Sequence, residues 1–176
     1  MLKSRINFIH PKAELPAVLF YRNPIESLNR PRQEVYTAIS TNGDKNWGIL
    51  VLHKSKMQHR EDYNGCTLAI DYIESKNKHK GLGKAMIEFA KKYSKQNGCN
   101  GYIVLRADSS INKNQVPHIF YRKQNFTTLD KKIDEKIDLF IKNKQDGTSK
   151  DFSTQIMHFP PPQNQSFINK IKLLLK

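Results

Sequence analysis

No apolar run in the 176-residue chain approaches the ~20 residues needed to cross a bilayer. The opening stretch, Met1 to Leu15, likewise has no apolar core long enough for a signal peptide. Internal repeats, heptads, a collagen-like period and long low-complexity tracts are also missing, which excludes solenoid, coiled-coil and fibrous architectures. Cysteine is scarce: Cys66 and Cys99 are too few and too isolated to read as a disulfide framework or a zinc site. Two free thiols, a reducing cytoplasmic setting and no metal site are therefore expected. Acidic residues are few as well, 16 Asp+Glu against 30 Lys+Arg, for a net charge of +14. Such an excess gives a field attractive to phosphates and acidic surfaces, which leaves nucleic acid open as a partner. The excess is mostly lysine and asparagine is also frequent, a bias that AT-rich coding produces without any partner.

What is present is a set of periodic segments. The hydrophobic fraction is only 38%, but the apolar residues are grouped rather than scattered. The length fits one ordinary domain with room for a tail. We expect a domain over 1–159, then a Pro-rich turn and a short basic tail over 160–176.

Pro11, Pro16, Pro24 and Pro31 break residues 1–35 into short pieces, so loops, a short strand and one or two helical turns are expected there. Val35–Thr41 and Trp47–His53 are β-rich runs separated by a hairpin signal at 41–45. Lys54–Asn64 is polar and reads as a loop, and Thr67–Ile73 as a strand. From Gly81 the period becomes helical, with Leu82, Met86, Phe89 and Tyr93 on one face and Gly98 placed to stop the helix in a left-handed cap. Tyr102–Ala107 reads as a buried strand. Asn114 or a neighbour is expected to cap a short helix through Lys123, with Pro117 acceptable in its first turn. Phe126–Leu129 starts a further strand. Asp130 is placed to cap an amphipathic helix carrying Ile133, Ile137, Phe140 and Ile141. Ser153–Phe159 is a last strand, and 166–176 a short basic helix. The order specifies an α/β (α+β) domain whose sheet mixes directions.

The informative segment runs from Ile70 to Ala85. A strand enters a turn rich in Lys and Gly, and the turn opens directly into a helix. Backbone N–H groups at such a helix start have no internal partner and, with the helix dipole, form an anion site. Gly81 and Gly83 let the backbone approach a bulky pyrophosphate, since neither carries a Cβ. Lys78, Lys80 and Lys84 add charge. A Walker loop is excluded, because Gly81-Leu82-Gly83-Lys84-Ala85 has neither its spacing nor its hydroxyl. A dinucleotide fingerprint is excluded because Met86 stands where a third glycine is needed. The plainer alternative is two glycines that merely allow a tight strand-to-helix turn.

Lys78-His79-Lys80-Gly81-Leu82-Gly83 resembles the coenzyme A loop of the GNAT acetyltransferases, with Lys for the usual Arg or Gln at its first position. Ile73 stands where that family has an apolar residue closing its fourth strand. Downstream, Asn114, the doublet Phe120-Tyr121 and Phe126 resemble the family's second motif, with Pro117 for a small residue and Asn125 for the usual glycine. Asn tolerates a left-handed conformation, so that exchange is mild. Together the motifs cover about a third of the chain, and their spacing is similar to that of ribosomal-protein N-terminal acetyltransferases.

The resemblance implies a single domain with a mixed, mostly antiparallel central sheet flanked by helices. Its fourth and fifth strands splay apart to admit the pantetheine arm of acetyl-CoA. Carried over, Asp71, Tyr72 and Ile73 offer main-chain groups to that arm, and Asp71 is asked for its backbone only. His79 through Lys84 (His79, Lys80, Gly81, Leu82, Gly83, Lys84), with Lys78, wrap the pyrophosphate. Asn114 holds the far end of the cosubstrate. The N–H of Ile73 stabilises the oxyanion, and Tyr121 is the general acid; the competing reading of Tyr121 is aromatic packing against Phe120 and Phe126. No base is assigned. The relatives' acidic residue on the fifth strand corresponds to Val104, and the loop from Asp108 to Lys113 is longer than usual. Glu74, Asp108 and His118 are candidates, His118 reading more readily as a surface helix residue, and a water chain is equally open.

The expected function is acetyl transfer from acetyl-CoA to a primary amine on a protein, a small molecule or an aminoacyl-tRNA. The alternative is a basic RNA-binding or CoA-binding regulatory module that keeps the fold without turnover. A membrane partner is not expected, and the chain reads as a monomer or homodimer.

Overall fold

The computed structural model describes residues 6–8, 18–30, 32–40, 46–55, 65–76, 81–110 and 116–160. In chain order the elements begin with β1 (Ile6–Phe8), β2 (Val18–Arg22), α1 (Pro24–Leu28), β3 (Gln33–Ser40), β4 (Asn46–Ser55) and β5 (Thr67–Ser75). They continue with α2 (Leu82–Gln96), β6 (Ile103–Ala107), α3 (Pro117–Lys123), α4 (Lys131–Lys142) and β7 (Gln155–Phe159). These fall into two units, one of residues Met1–Met57 with Gly65–Leu105, the other of Gln58–Asn64 with Arg106–Lys176.

The first unit is a sheet that follows chain order from β1 to β6. Its pairs are antiparallel as far as β5, and β5–β6 is parallel. The mixed α/β class expected from the segment order is what the chain forms. The strands predicted at 35–41, 47–53 and 67–73 are present, each slightly longer or shifted. The N-terminal segment carries two strands where one was expected. The pair expected to splay therefore comes fifth and sixth in chain order, not fourth and fifth.

Alternation along the strands sorts the faces. Phe20, Tyr36 and Gly48 meet α2: Phe20 stacks on Phe89 at 4.3 Å, Tyr36 meets Phe89 edge-on at 4.9 Å, and Gly48 lies against Leu82 and Met86. The helix lays its predicted apolar face here, with Leu82, Met86 and Phe89 at 1% exposure or less and Tyr93 at 8%; Ile87, outside the predicted stripe, is buried too. Burying each such side chain contributes roughly 1.5–3 kcal/mol relative to exposure. Gly98 does take a left-handed conformation, φ +82, beyond the helix end. The Cys99 N–H then closes back on the Ser94 carbonyl at 2.9 Å, the wrap-around bond of a glycine-stopped helix.

The cysteines correct the reading of isolated thiols. Cys66, just ahead of β5, is disulfide-bonded to Cys99, just after α2, with their Cα atoms 4.6 Å apart. They stand 33 positions apart in the sequence, and that separation hid the proximity.

In the second unit α3 and α4 pack together, joined by Arg122. It donates from Nε and Nη2 to Asp138 at 2.8 and 2.6 Å, and from Nη1 to Asp134 at 3.3 Å. Asp130 caps α4 as expected, accepting from the Lys132 N–H at 2.9 Å. Ile137 is the fully buried member of its apolar stripe, while Ile133, Phe140 and Ile141 are partly exposed. The strand expected at 126–129 is reduced to a single bridge, Thr127 with His158. Thr128 and Asp130 turn the chain at once, Thr128 Oγ1 donating to the Asp130 carbonyl at 2.7 Å. The loop at 41–45, most of the polar 54–64 stretch and the tail helix at 166–176 lie outside the described residues. Among the described residues no helix is long and apolar enough to cross a membrane.

Candidate functional site

Strand β5 has two characters. Thr67–Ile70 is buried, and from Asp71 onward the strand is exposed or half-buried. The same point divides its pairing. On one edge β5 runs with β4 as far as Ser75 opposite Gly48. On the other it pairs with β6 only at Leu68–Ile103, Ala69–Val104 and Ile70–Leu105. From Asp71 to Ser75 that second edge has no strand partner among the described residues. Its main-chain groups are those an extended ligand can pair with.

A bulge marks the division. Leu52 opposes Ile70 and Val51 opposes Tyr72, so Asp71 is the extra residue. Inserting a residue re-aims side chains and leaves the ladder locally open. Ile70 and Ile73 oppose Leu52 and Leu50 on the α2 face, and Tyr72 opposes Val51 on the other. Asp71 turns to that other face. Its Oδ2 accepts from Gln33 Nε2 at 2.7 Å and lies 2.6 Å from His53 Nδ1. Sequence reasoning asked Asp71 for its backbone alone and passed over Gln33 and His53. Neither had a signal in the linear sequence, because three strands and the bulge are needed to bring the trio together.

Downstream, Gly81 holds the position before α2 with φ 86 and ψ −12. This left-handed conformation disfavours any residue with a Cβ. Gly83 and Lys84 follow in the first turn, Lys84 exposed and Leu82 buried between sheet and helix. Among the described residues no side chain caps this helix start, and its first turn has no acidic residue. The usual internal complements of the positive helix end are therefore lacking. Lys78, His79, Lys80 and Asn114 lie outside the described residues. Within the first unit, the open edge at Asp71–Ile73 and the helix start at Gly81–Lys84 belong to the consecutive elements β5 and α2.

The second unit holds the other sequence candidates. Tyr121, on α3, is 6% exposed and packs against Phe120 and Phe126, with ring centroids at 5.2 and 5.9 Å. Burial pushes its phenol up to about 12. Asn125, in the place of the family's glycine, has φ +66, as its tolerance for that conformation allows. The cap of α3 is Val116 in an extended conformation, with Pro117 in the first turn.

His118 is not a surface residue. It is fully buried, stacked on Phe152 at 5.3 Å, and its Nε2 donates to the Ser153 carbonyl at 3.0 Å. Its position on the inner side of a short helix was invisible to a helix-period argument over so few residues. Burial holds it below the ordinary histidine range. Asp108 Oδ1 accepts from both the N–H and the hydroxyl of Ser110, at 2.9 and 2.6 Å. These bonds hold its carboxyl below the usual range, which makes it a weaker base. Glu74 is half-buried on β5 opposite Ile49, and Val104 is buried in the sheet.

No family model matches the chain, and no curated protein matches it either. Among solved structures, Arabidopsis thaliana NAA60 in complex with a bisubstrate analogue is 16% identical, with a TM-score of 0.43. That match covers 57% of this chain and 64% of the Arabidopsis chain, less than two thirds of its length. A Corynebacterium glutamicum protein described as histone acetyltransferase HPA2 and related acetyltransferase is 15% identical over 80% of this chain and 71% of that one, TM-score 0.46. The NatC complex bound to Gag peptide and CoA gives 13% identity over 73% and 71%, TM-score 0.45. These neighbours are GNAT acetyltransferases.

Proposed function

We propose that the chain is a GNAT-type N-acetyltransferase that moves the acetyl group of acetyl-CoA to a primary amine by direct attack on the thioester. The observation that carries this reading is the continuity of β5 beyond β6, from Ile70 opposite Leu105 to Ser75, into the left-handed Gly81 at the uncapped start of α2. An open strand edge followed by a helix N-terminus suits a ligand with an amide-bearing arm and a diphosphate.

In this reading the main chain of Asp71, Tyr72 and Ile73 pairs with the pantetheine arm. The N–H of Ile73 faces the developing oxyanion. Lys78, His79, Lys80, Gly81, Leu82, Gly83 and Lys84 hold the pyrophosphate, and Asn114 the far end. Tyr121 is the acid. Its burial keeps the phenol protonated at neutral pH, and the same burial makes it a reluctant donor, so its proton moves as the C–S bond breaks rather than before. The domain over 1–159 and the basic tail over 160–176 belong to the same proposal.

Calorimetric titration of acetyl-CoA into the wild type and into a Gly81→Val/Gly83→Val variant tests the reading. Saturable binding to the wild type and none to the folded variant supports it. No binding to a folded wild type overturns it. The net charge of +14 would then direct attention to a module that binds RNA in a salt-sensitive way.

A further inference from the structure

Gln33, His53 and Asp71 come from three adjacent strands and meet on the sheet face away from α2. Gln33 opposes His53 across β3–β4, and His53 opposes Ala69 across β4–β5. The bulge adds Asp71 where its carboxylate reaches both. A carboxylate can only accept at these contacts, so the 2.6 Å contact places the proton on His53 Nδ1. The lone pair is then on Nε2, which has no hydrogen bond among the described residues. The side chains of His53 and Asp71 are 31% and 27% exposed, so the pair is reachable from solvent. A histidine held in one tautomer by a carboxylate, with its other nitrogen free, is equipped to take a proton.

We propose that His53 is the general base of this site, with Asp71 and Gln33 as positioning residues. The inference rests on the acetyltransferase reading, since the backbone of Asp71 opens the strand edge assigned there to the thioester arm. The acceptor amine approaches on the His53 face of β5. Its nitrogen forms a bond to the thioester carbon while Nε2 takes a proton from it. The C–S bond breaks, and CoA leaves as the thiolate, which is protonated to the free thiol. The imidazolium, held by the Asp71 carboxylate, releases to solvent the proton that balances this step. Neither Glu74 nor the hydrogen-bonded Asp108 is needed as a base.

The test compares wild type, His53→Ala and Asp71→Asn in three measurements. These are acetyl-CoA affinity by calorimetry, thiol release from saturating acetyl-CoA, and the tautomer of His53 by 15N-histidine NMR. Thiol release is read with a mixture of free lysine, spermidine and an alanine-initiated peptide, and again without any amine. Expected for His53→Ala are unchanged acetyl-CoA affinity, a fall in turnover of roughly 10²–10⁴-fold, and partial recovery on adding imidazole. Asp71→Asn is expected to lose the Nδ1–H preference of His53 together with part of the turnover, without imidazole rescue. Unchanged turnover in a folded His53→Ala protein overturns the base while leaving the acetyltransferase reading intact. A wild type that binds acetyl-CoA but releases no thiol under either condition also overturns it. A wild type that does not bind acetyl-CoA overturns the underlying reading instead.

Discussion

Gly48 on β4 lies against Met86 of α2, and the Glu74 carbonyl of β5 closes in from the neighbouring strand. A Cβ at this position would overlap both Met86 Cε and the Glu74 oxygen. The methionine can swing away, but the carbonyl belongs to the ladder that presents β5.

Gly48→Ala is accordingly expected to destabilise the fold by about 1–3 kcal/mol, as overpacking of a filled interior does. Urea denaturation checks it. Adding Met86→Ala should not restore stability, because the backbone obstacle stays. A double variant as stable as Met86→Ala alone would show that the carbonyl gives way.

Gly81 makes a second, separable demand. With φ 86 it occupies the left-handed region, where a Cβ costs roughly 1–2 kcal/mol. Gly81→Ala should lose about that much stability, and Gly81→Asn less, since a short polar side chain tolerates this conformation. Equal stabilities for the three proteins would place the demand for glycine on the ligand alone.

These two glycines illustrate what the sequence discloses. Gly81 was legible because it sits at a change of period, where Ile70–Ile73 ends a strand and Leu82, Met86, Phe89 and Tyr93 begin a helix. The strand–turn–helix order and the apolar face of α2 followed from that change. Gly48 was not legible, since its constraint comes from a helix 34 positions later and from a strand across the sheet. The same holds for Gln33, His53 and Asp71, whose meeting depends on register and on one inserted residue. The expected strand at 126–129 failed for a local reason: the Thr128 side chain bonds the chain back on itself at Asp130.

His118 carries a pH dependence. Burial lowers its folded value from the ordinary 6.5, so the unfolded chain binds the proton more readily than the folded one. Stability is then complete above about pH 6.5 and is lost as pH falls from there toward the depressed folded value. The urea midpoint of the wild type should drop between pH 7.5 and 5. His118→Gln, which keeps a donor for the Ser153 carbonyl but does not titrate, should be less stable at pH 7.5 and show a flatter slope. An equally steep slope in the variant would assign the dependence to other groups.

Cys66 and Cys99 tie the entry of β5 to the exit of α2, so their bond spans the whole strand–turn–helix unit assigned to acetyl-CoA. In the chain-entropy view, a cross-link over a separation of 33 residues restricts the unfolded chain by about 3–4 kcal/mol. Reductant should therefore lower the melting temperature of the wild type and leave a Cys66→Ser/Cys99→Ser variant unmoved. Thiol titration in denaturant without reductant should find none in the wild type, among its two cysteines. Two reactive thiols under those conditions, with no response to reductant, would return the pair to the free cysteines that their isolation in the sequence suggests. The cross-link also holds Cys99 beside the glycine stop at Gly98, so its loss should loosen the end of α2 before the start. Hydrogen exchange along α2 would show that order, with protection at Ser94–Gln96 falling first and at Ala85–Ile87 last.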